Sequence, residues 1–361
     1  MKYKKITVTH RGGLEAIKIT ESELRQPETG EARIRVLATP VCQDDIAIRT
    51  GNRPFLRKPP YIPGYSFIGV VDAAGEDADD VSAGDRVAAL TQFNSHAEYI
   101  YWKARDLVQV PHDLDPAEAA PLILNYLVAY QILHRVACVK AGDKVLLIGA
   151  SGGVGTAFLQ LGQLAELKMY GLASAEKHPA LREYGAIPID YSARDFSEVI
   201  RQAEPEGLDF VFNGMGPEYF KPGLSLLHRR GILVHYGGPQ SLGDFLILIV
   251  KLIANNLLPN GKRIKGYGTH REGLDTFKED WTILFNLLKD GKIRPIIAER
   301  LPLLKAAEAY EMLEKGNVTG NIVLLAPKLP ASSSSSDPHL NLPLFNTNSI
   351  LRHNSSVSGN V

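Results

Sequence analysis

Only two cysteines, Cys42 and Cys138, occur in 361 residues. That excludes a disulfide framework and any multi-cysteine metal lobe. Net charge is absent as well, since 40 lysines and arginines offset 40 aspartates and glutamates. No electrostatic case for nucleic acid or an anionic membrane exists on that balance. Long apolar runs are missing too. The richest, Phe245 to Ala254, is broken by Lys251 and is too short to span a bilayer. The N-terminus, Met1-Lys-Tyr-Lys-Lys-Ile-Thr-Val, alternates like a strand and lacks the apolar core of a signal peptide. Cytoplasmic surroundings are the expectation. What remains is the composition of a soluble globular chain, 45% hydrophobic and 22% charged, with length for about two domains.

The informative stretch is Val145 to Gly155, Val-Leu-Leu-Ile-Gly-Ala-Ser-Gly-Gly-Val-Gly. Val145 to Ile148 read as a strand buried on both faces. After the glycines, Val154, Ala157, Phe158, Leu161 and Leu164 recur at three and four residues, which predicts a helix with these side chains on one face. Strand, glycine turn and helix together make a dinucleotide site. Small residues let a pyrophosphate approach the backbone, and free N–H groups of the first helical turn point at its oxygens. Ala150, Ser151, Gly152, Gly153 and Val154 are the candidate cradle.

Around this unit the chain divides. Residues 1–124 are rich in short strands and turns, as at Ala32 to Ala38, Gly69 to Val71 and Arg86 to Ala88, and predict a compact β domain. Asp115 and Pro116 open a helix as N-cap and first helical residue. From 125 to 268 strand and helix alternate: strands at Lys168–Ala173, Ile187–Tyr191, Leu208–Asn213, Gly231–Tyr236 and Arg263–Gly268, with helices between. This predicts an α/β fold with a doubly wound parallel sheet. An amphipathic helix around Trp281, Leu284, Phe285 and Leu288 follows, then strands at Pro295–Ala298 and Asn321–Leu325, so residues 269–328 are placed back in the first domain. Residues 329–361, rich in Ser, Asn and Pro, read as a disordered tail.

Several pieces carry a family resemblance: Pro63-Gly64-Tyr65-Ser66-Phe67-Ile68-Gly69, Asn125-Tyr-Leu-Val-Ala-Tyr130, the turn Gly149 to Gly155, Asp190-Tyr191, Gly291-Lys-Ile-Arg-Pro295 and Gly316-Asn-Val-Thr-Gly-Asn-Ile-Val-Leu. On these, residues 1–327 resemble the zinc-independent quinone oxidoreductase (zeta-crystallin-like) branch of the medium-chain dehydrogenase/reductase superfamily. The resemblance implies a GroES-like β domain built from both chain ends, a central Rossmann domain, and a homodimer. Zinc-dependent relatives hold their metal with a cysteine, a histidine and a further cysteine or acid. Cys42 matches the first position, but Tyr65 and Ser66 stand at the next ones. A phenol and a hydroxyl do not make a zinc shell, so no metal is expected. Cys42 is expected to be a small buried residue, and His96 and His178 to face solvent.

NAD-specific sites place an acid about 20 residues past the glycine turn. Here Ala173-Ser174 is followed by Lys177, His178 and Arg182. A hydroxyl and cations suit a 2′-phosphate, so NADPH is the expected cofactor. The resemblance implies that Ser174, Lys177 and Tyr191 hold that phosphate. In the alternative, Glu176 takes the ribose and Lys177 is a solvated charge. Asn213, Met215 and Tyr236 end sheet strands and are expected on the nicotinamide side. Asn125 and Phe245 are assigned to the substrate pocket. By family analogy Asp45 and Tyr65 line its other wall, with Tyr65 a candidate proton donor. Hydride transfer without a metal calls for a conjugated acceptor, a quinone or an enone. Two alternatives stand beside this: an enoyl or alkenal C=C reductase, and an NADPH-binding, membrane-associated protein with little catalysis.

Overall fold

The computed structural model describes residues 1–53, 57–192, 195–238, 242–257, 261–269 and 273–327. The expected tail at 329–361 lies outside the described residues. Both chain ends of the described part build one sheet. In order come β1 (Lys2–Val8), β2 (Ile17–Glu23), β3 (Glu31–Val41), α1 (Gln43–Arg49), β4 (Ser66–Ala74), β5 (Arg86–Leu90), β6 (Tyr99–Lys103) and β7 (Val108–Gln109). Next are α2 (Pro116–Ala119) and α3 (Asn125–Gln131), with Asp115 capping α2 by accepting from the Ala117 N–H at 2.9 Å. Strand β3 is the hub of this half. It pairs antiparallel with β4, with β6 and with the distant C-terminal strand Asn321–Leu325. Period-two alternation along Glu31–Ala38 explains why, since every second side chain is buried.

The central segment runs β8 (Lys144–Ile148), α4 (Gly153–Leu164), β9 (Lys168–Ala173), α5 (His178–Glu183), β10 (Ile187–Asp190), α6 (Phe196–Ala203), β11 (Leu208–Asn213), α7 (Phe220–Leu226), β12 (Leu227–His235), α8 (Leu242–Leu257) and β13 (Arg263–Gly266). These six strands pair in parallel in the order β10-β9-β8-β11-β12-β13. That is the Rossmann order, and its reversal between β8 and β11 opens a crevice at the carboxyl ends of those strands. The expected α4 face is buried at Ala157, Phe158 and Leu161, and Leu159 joins it. Leu164, expected there too, is exposed, because the helix ends at that residue and the chain turns back toward β9.

After β13 come α9 (Leu274–Lys289), β14 (Ile297–Pro302), α10 (Ala306–Glu314) and β15 (Asn321–Leu325). The strand expected from Pro295 starts at Ile297, past a proline that has no N–H to give a ladder. The indole of Trp281 on α9 donates to the Ile123 carbonyl, and one continuous core joins α9, α3 and α4.

Charge is buried where strands need registering. Glu204, 3% exposed at the end of α6, accepts from Lys144 and Lys168 at 2.6 Å each and from the Tyr170 hydroxyl at 2.8 Å. Lys144 and Lys168 are cross-strand partners at the start of β8 and β9. Burial pushes this carboxyl up, but the two ammonium groups and the phenol outweigh it and hold the pKa at about 2. A lowered folded pKa stabilises above the unfolded value and loses that contribution as pH falls. Glu204→Gln should therefore cost about 2 kcal/mol at neutral pH. Urea unfolding of both proteins should show the gap closing as pH drops from about 4.5 toward about 2. A gap independent of pH would contradict the assignment.

Candidate active site

The turn after β8 uses its glycines for different reasons. Gly149 has φ +87°, a left-handed conformation that disfavours other residues. At Gly155 a methyl group would overlap the Gly149 carbonyl and the Ala150 backbone, so the turn itself demands glycine. Gly152 is unlike both. Its φ of −76° suits any residue, and a methyl there would meet nothing nearer than the Gly149 oxygen at 3.8 Å. The protein leaves that space open at the N-cap of α4, which no side chain caps. An open cradle beside uncapped first-turn N–H groups fits a dinucleotide pyrophosphate.

Gly153 has a second role. Its lack of a side chain serves the protein's own packing as well, because a methyl would overlap the Asn125 amide and lie 2.8 Å from Asn321 Oδ1. Asn125 Nδ2 donates to Asn321 Oδ1 at 2.6 Å, and Asn321 Nδ2 donates to the Ile296 carbonyl. The Gly320 N–H donates to the Ser151 carbonyl at 2.8 Å. The structure thus places Asn125 against the glycine turn. Ala150 is buried and donates to Leu172, while Ser151 and Val154 stay half-exposed on the rim.

Across the crevice, Asn213 is fully buried. Its Nδ2 donates to the Gly216 carbonyl at 2.9 Å, and its Oδ1 accepts from the Met215 N–H at 3.0 Å. Both ends shape the turn that carries Met215, which stands exposed beside Gly149. Tyr236, expected on the nicotinamide side, is half-buried at the end of its strand. Its ring packs on Phe158 and its hydroxyl lies against Gly214, where a methyl would overlap it. The Phe245 side chain lies outside the described residues.

At the other end of the crevice, Asp190 pairs with Ala173, so Ser174 and Tyr191 leave the sheet side by side. Tyr191 is exposed. Ser174 donates to Glu176 at 2.6 Å, which with the local backbone holds that carboxyl below its usual range. Lys177 donates to the Gly316 carbonyl. His178 is half-buried and lies 3.2 Å from the Ala173 carbonyl through Nε2.

The wall opposite the sheet is built on α1. Cys42 is half-buried, and its N–H and thiol both donate to Asp45 Oδ2, at 3.0 and 3.2 Å, closing a capping box. Asp45 Oδ1 accepts from the Gly64 N–H at 2.9 Å. Asp45 is thereby spent on orienting the Gly64–Tyr65 loop. Burial, then the charges of Asp45 and Asp44, push the Cys42 thiol up. Tyr65 is buried, and its hydroxyl neighbours the Asp44 carboxylate. Burial and then the Asp44 charge keep that phenol protonated far above its ordinary range. Asp44, raised by burial, pairs with Arg53 at 2.7 Å. Asp44 and Arg53 carry no sequence signature of their own and enter the site only through the fold. His96, expected to face solvent, is fully buried between the Pro40 carbonyl at 3.1 Å and the Tyr310 hydroxyl at 2.9 Å, and burial lowers its pKa.

Two family profiles match the chain: the alcohol dehydrogenase GroES-like domain over residues 28–112 and the zinc-binding dehydrogenase domain over 185–324. The synaptic vesicle membrane protein VAT-1 homolog of Rattus norvegicus is 30% identical over 339 residues, 89% of this chain and 83% of that one. This chain belongs to the zeta-crystallin-like branch of the medium-chain dehydrogenase/reductase superfamily. It is an oxidoreductase of that superfamily with a nicotinamide cofactor site. The quinone oxidoreductase of Lama guanicoe is 29% identical over 330 residues, 89% of this chain and 96% of that one. A mycobacterial protein solved with NADPH is 28% identical, with TM-score 0.79 over 90% of this chain and 99% of that one.

Zinc, which one profile's description implies for the superfamily, does not fit the residues present. Among the described residues no group of three or more His, Cys, Asp or Glu could hold a metal ion. The Cys42 thiol is hydrogen-bonded to Asp45, and Tyr65 and Ser66 follow where further ligands would stand.

The glycine geometry separates fold from ligand. Gly152→Ala should melt like the parent yet bind nicotinamide dinucleotide about tenfold or more weakly, roughly 1.4 kcal/mol. Gly155→Ala should lose about 1–3 kcal/mol of stability through overpacking. Thermal melts with and without cofactor check both, and parent-like affinity in Gly152→Ala would refute the cradle.

Proposed function

We propose that this chain is an NADPH-dependent reductase that delivers hydride, without a metal, to a quinone or another conjugated carbonyl. The observation that carries the reading is the pairing of an open cradle at Gly152 with an opposite wall in which Tyr65 and Ser66 stand beside Cys42 and make no metal shell. When bound, the nicotinamide supplies a hydride to the acceptor. Gly152 and the first turn of α4 hold the pyrophosphate, and Met215 covers the turn from the β11 side. Ser174, Lys177 and Tyr191, brought to the carboxyl ends of β9 and β10, face the 2′-phosphate. Tyr65, held protonated by burial and by the Asp44 charge, stands on the acceptor's side as a hydrogen-bond donor, and the proton that completes the reduction comes from solvent. No group in this wall polarises an isolated ketone as zinc does, so conjugation must spread the charge that develops. That requirement admits a C=C bond of an enone as well as a quinone.

A second reading draws on α8. Leu246, Val250, Ile253 and Leu257 are exposed at spacings of three and four residues, an apolar stripe on one helix face. It suits peripheral membrane association, although no helix among the described residues is long and apolar enough to cross a membrane. The same stripe suits the expected homodimer, and vesicle flotation beside sedimentation velocity separates the two.

For the cofactor, Lys177→Ala should weaken NADPH by about 1–3 kcal/mol and leave NADH unchanged. Glu176→Gln should tighten NADPH, because a carboxylate 2.6 Å from Ser174 Oγ competes with the phosphate for that hydroxyl. Fluorescence titration with both cofactors decides. Equal losses for both in Lys177→Ala would refute NADPH specificity.

A further inference from the structure

Arg53 follows α1 and reaches across to the carboxyl end of β12. Its guanidinium lies so close to Gly238 that a methyl there would overlap it. It also contributes to lowering the pKa of His235, the last residue of β12. The side chain is 16% exposed. Nη2 pairs with Asp44 Oδ1 at 2.7 Å, and among the described residues Nε is buried with no hydrogen-bond partner. A guanidinium offers a fork of donors matched to a carboxylate, and among the described residues Asp44 is the one carboxylate paired with this one. The place matters as much as the charge. Gly238 lies just past the strand end that faces the crevice, and Tyr65 is joined to Arg53 through Asp44. The cation therefore stands beside the wall that Tyr65 lines.

We propose that Arg53 selects conjugated acceptors that carry a carboxylate, pairing with that group while the conjugated carbon takes the hydride and the adjacent position takes a proton. The proposal rests on the reductase reading above. The carboxylate itself is unchanged in the reaction. Its role is to fix the acceptor's orientation, so its benefit falls on kcat/KM. Asp44 sets the strength of the attraction, because its charge offsets that of Arg53 at 2.7 Å.

The test uses NADPH oxidation with β-acetylacrylate and with its methyl ester, which differ only in the anionic group. The parent protein should favour the acid. Arg53→Leu should lower the acid-to-ester ratio of kcat/KM by about tenfold or more, and Arg53→Lys, which keeps the charge but not the fork, by less. Asp44→Asn should shift the ratio the opposite way. An unchanged ratio in Arg53→Leu, or equal losses with acid and ester, would overturn the proposal and leave Arg53 a packing residue. Levulinate, the saturated analogue, tests the anion site without turnover. It should quench or enhance NADPH fluorescence saturably in the loaded parent protein and fail to do so in Arg53→Leu. If neither acceptor is reduced while levulinate still binds through Arg53, the reductase reading fails and the anion site stands. If levulinate shows no binding that depends on Arg53, the anion site fails whatever the reductase activity.

Discussion

The close approach of the Asn125 and Asn321 side chains to the backbone of Gly153 is the constraint on which the rest of this molecule depends. The start of α4, Asn125 at the start of α3 and Asn321 at the start of β15 meet there with no room for a single methyl. Hydrogen bonds between the two asparagines and between Gly320 and Ser151 fix the contact. Strand β15 in turn pairs with β3, the hub of the β-rich half. One small contact thus registers the glycine turn against a sheet assembled from both ends of the described chain. The cleft has a definite width because this contact has no slack.

Polar groups in the cleft fall into two kinds. Asn213, Asn125 and Asp45 use their hydrogen-bonding capacity on the backbone or on one another, and so set the shape of turns. Tyr65, Asp44 and Arg53 form a chain that ends on a guanidinium whose Nε has no hydrogen-bond partner among the described residues. Satisfied groups make a rigid frame, whereas an incompletely satisfied group beside an opening is where a ligand gains most. The contrast with Glu204 makes the point. That carboxylate also sits in the interior, but two lysines and a tyrosine satisfy it, and it serves only to hold β8 to β9.

Local pattern determined a great deal by itself. Strands Lys168–Ala173 and Leu208–Asn213 follow from runs of apolar residues, and the start of α2 follows from Asp115 and Pro116. The glycine turn and the parallel sheet were legible for the same reason: periodicity and backbone conformation are properties of neighbours in sequence. Tertiary structure decided what depends on partners far along the chain. His96 is buried because Tyr310, more than two hundred residues later, supplies its hydrogen bond. Tyr236 packs its ring on Phe158 and its hydroxyl against Gly214, contacts that only the fold brings about. Gly153 owes its lack of a side chain in part to Asn125 and Asn321, which no spacing rule connects to it. Arg53 reads in sequence as one charged residue in a loop. Only the fold sets it against Gly238 and Asp44, where burial and an opposing carboxylate turn a surface charge into part of a cleft.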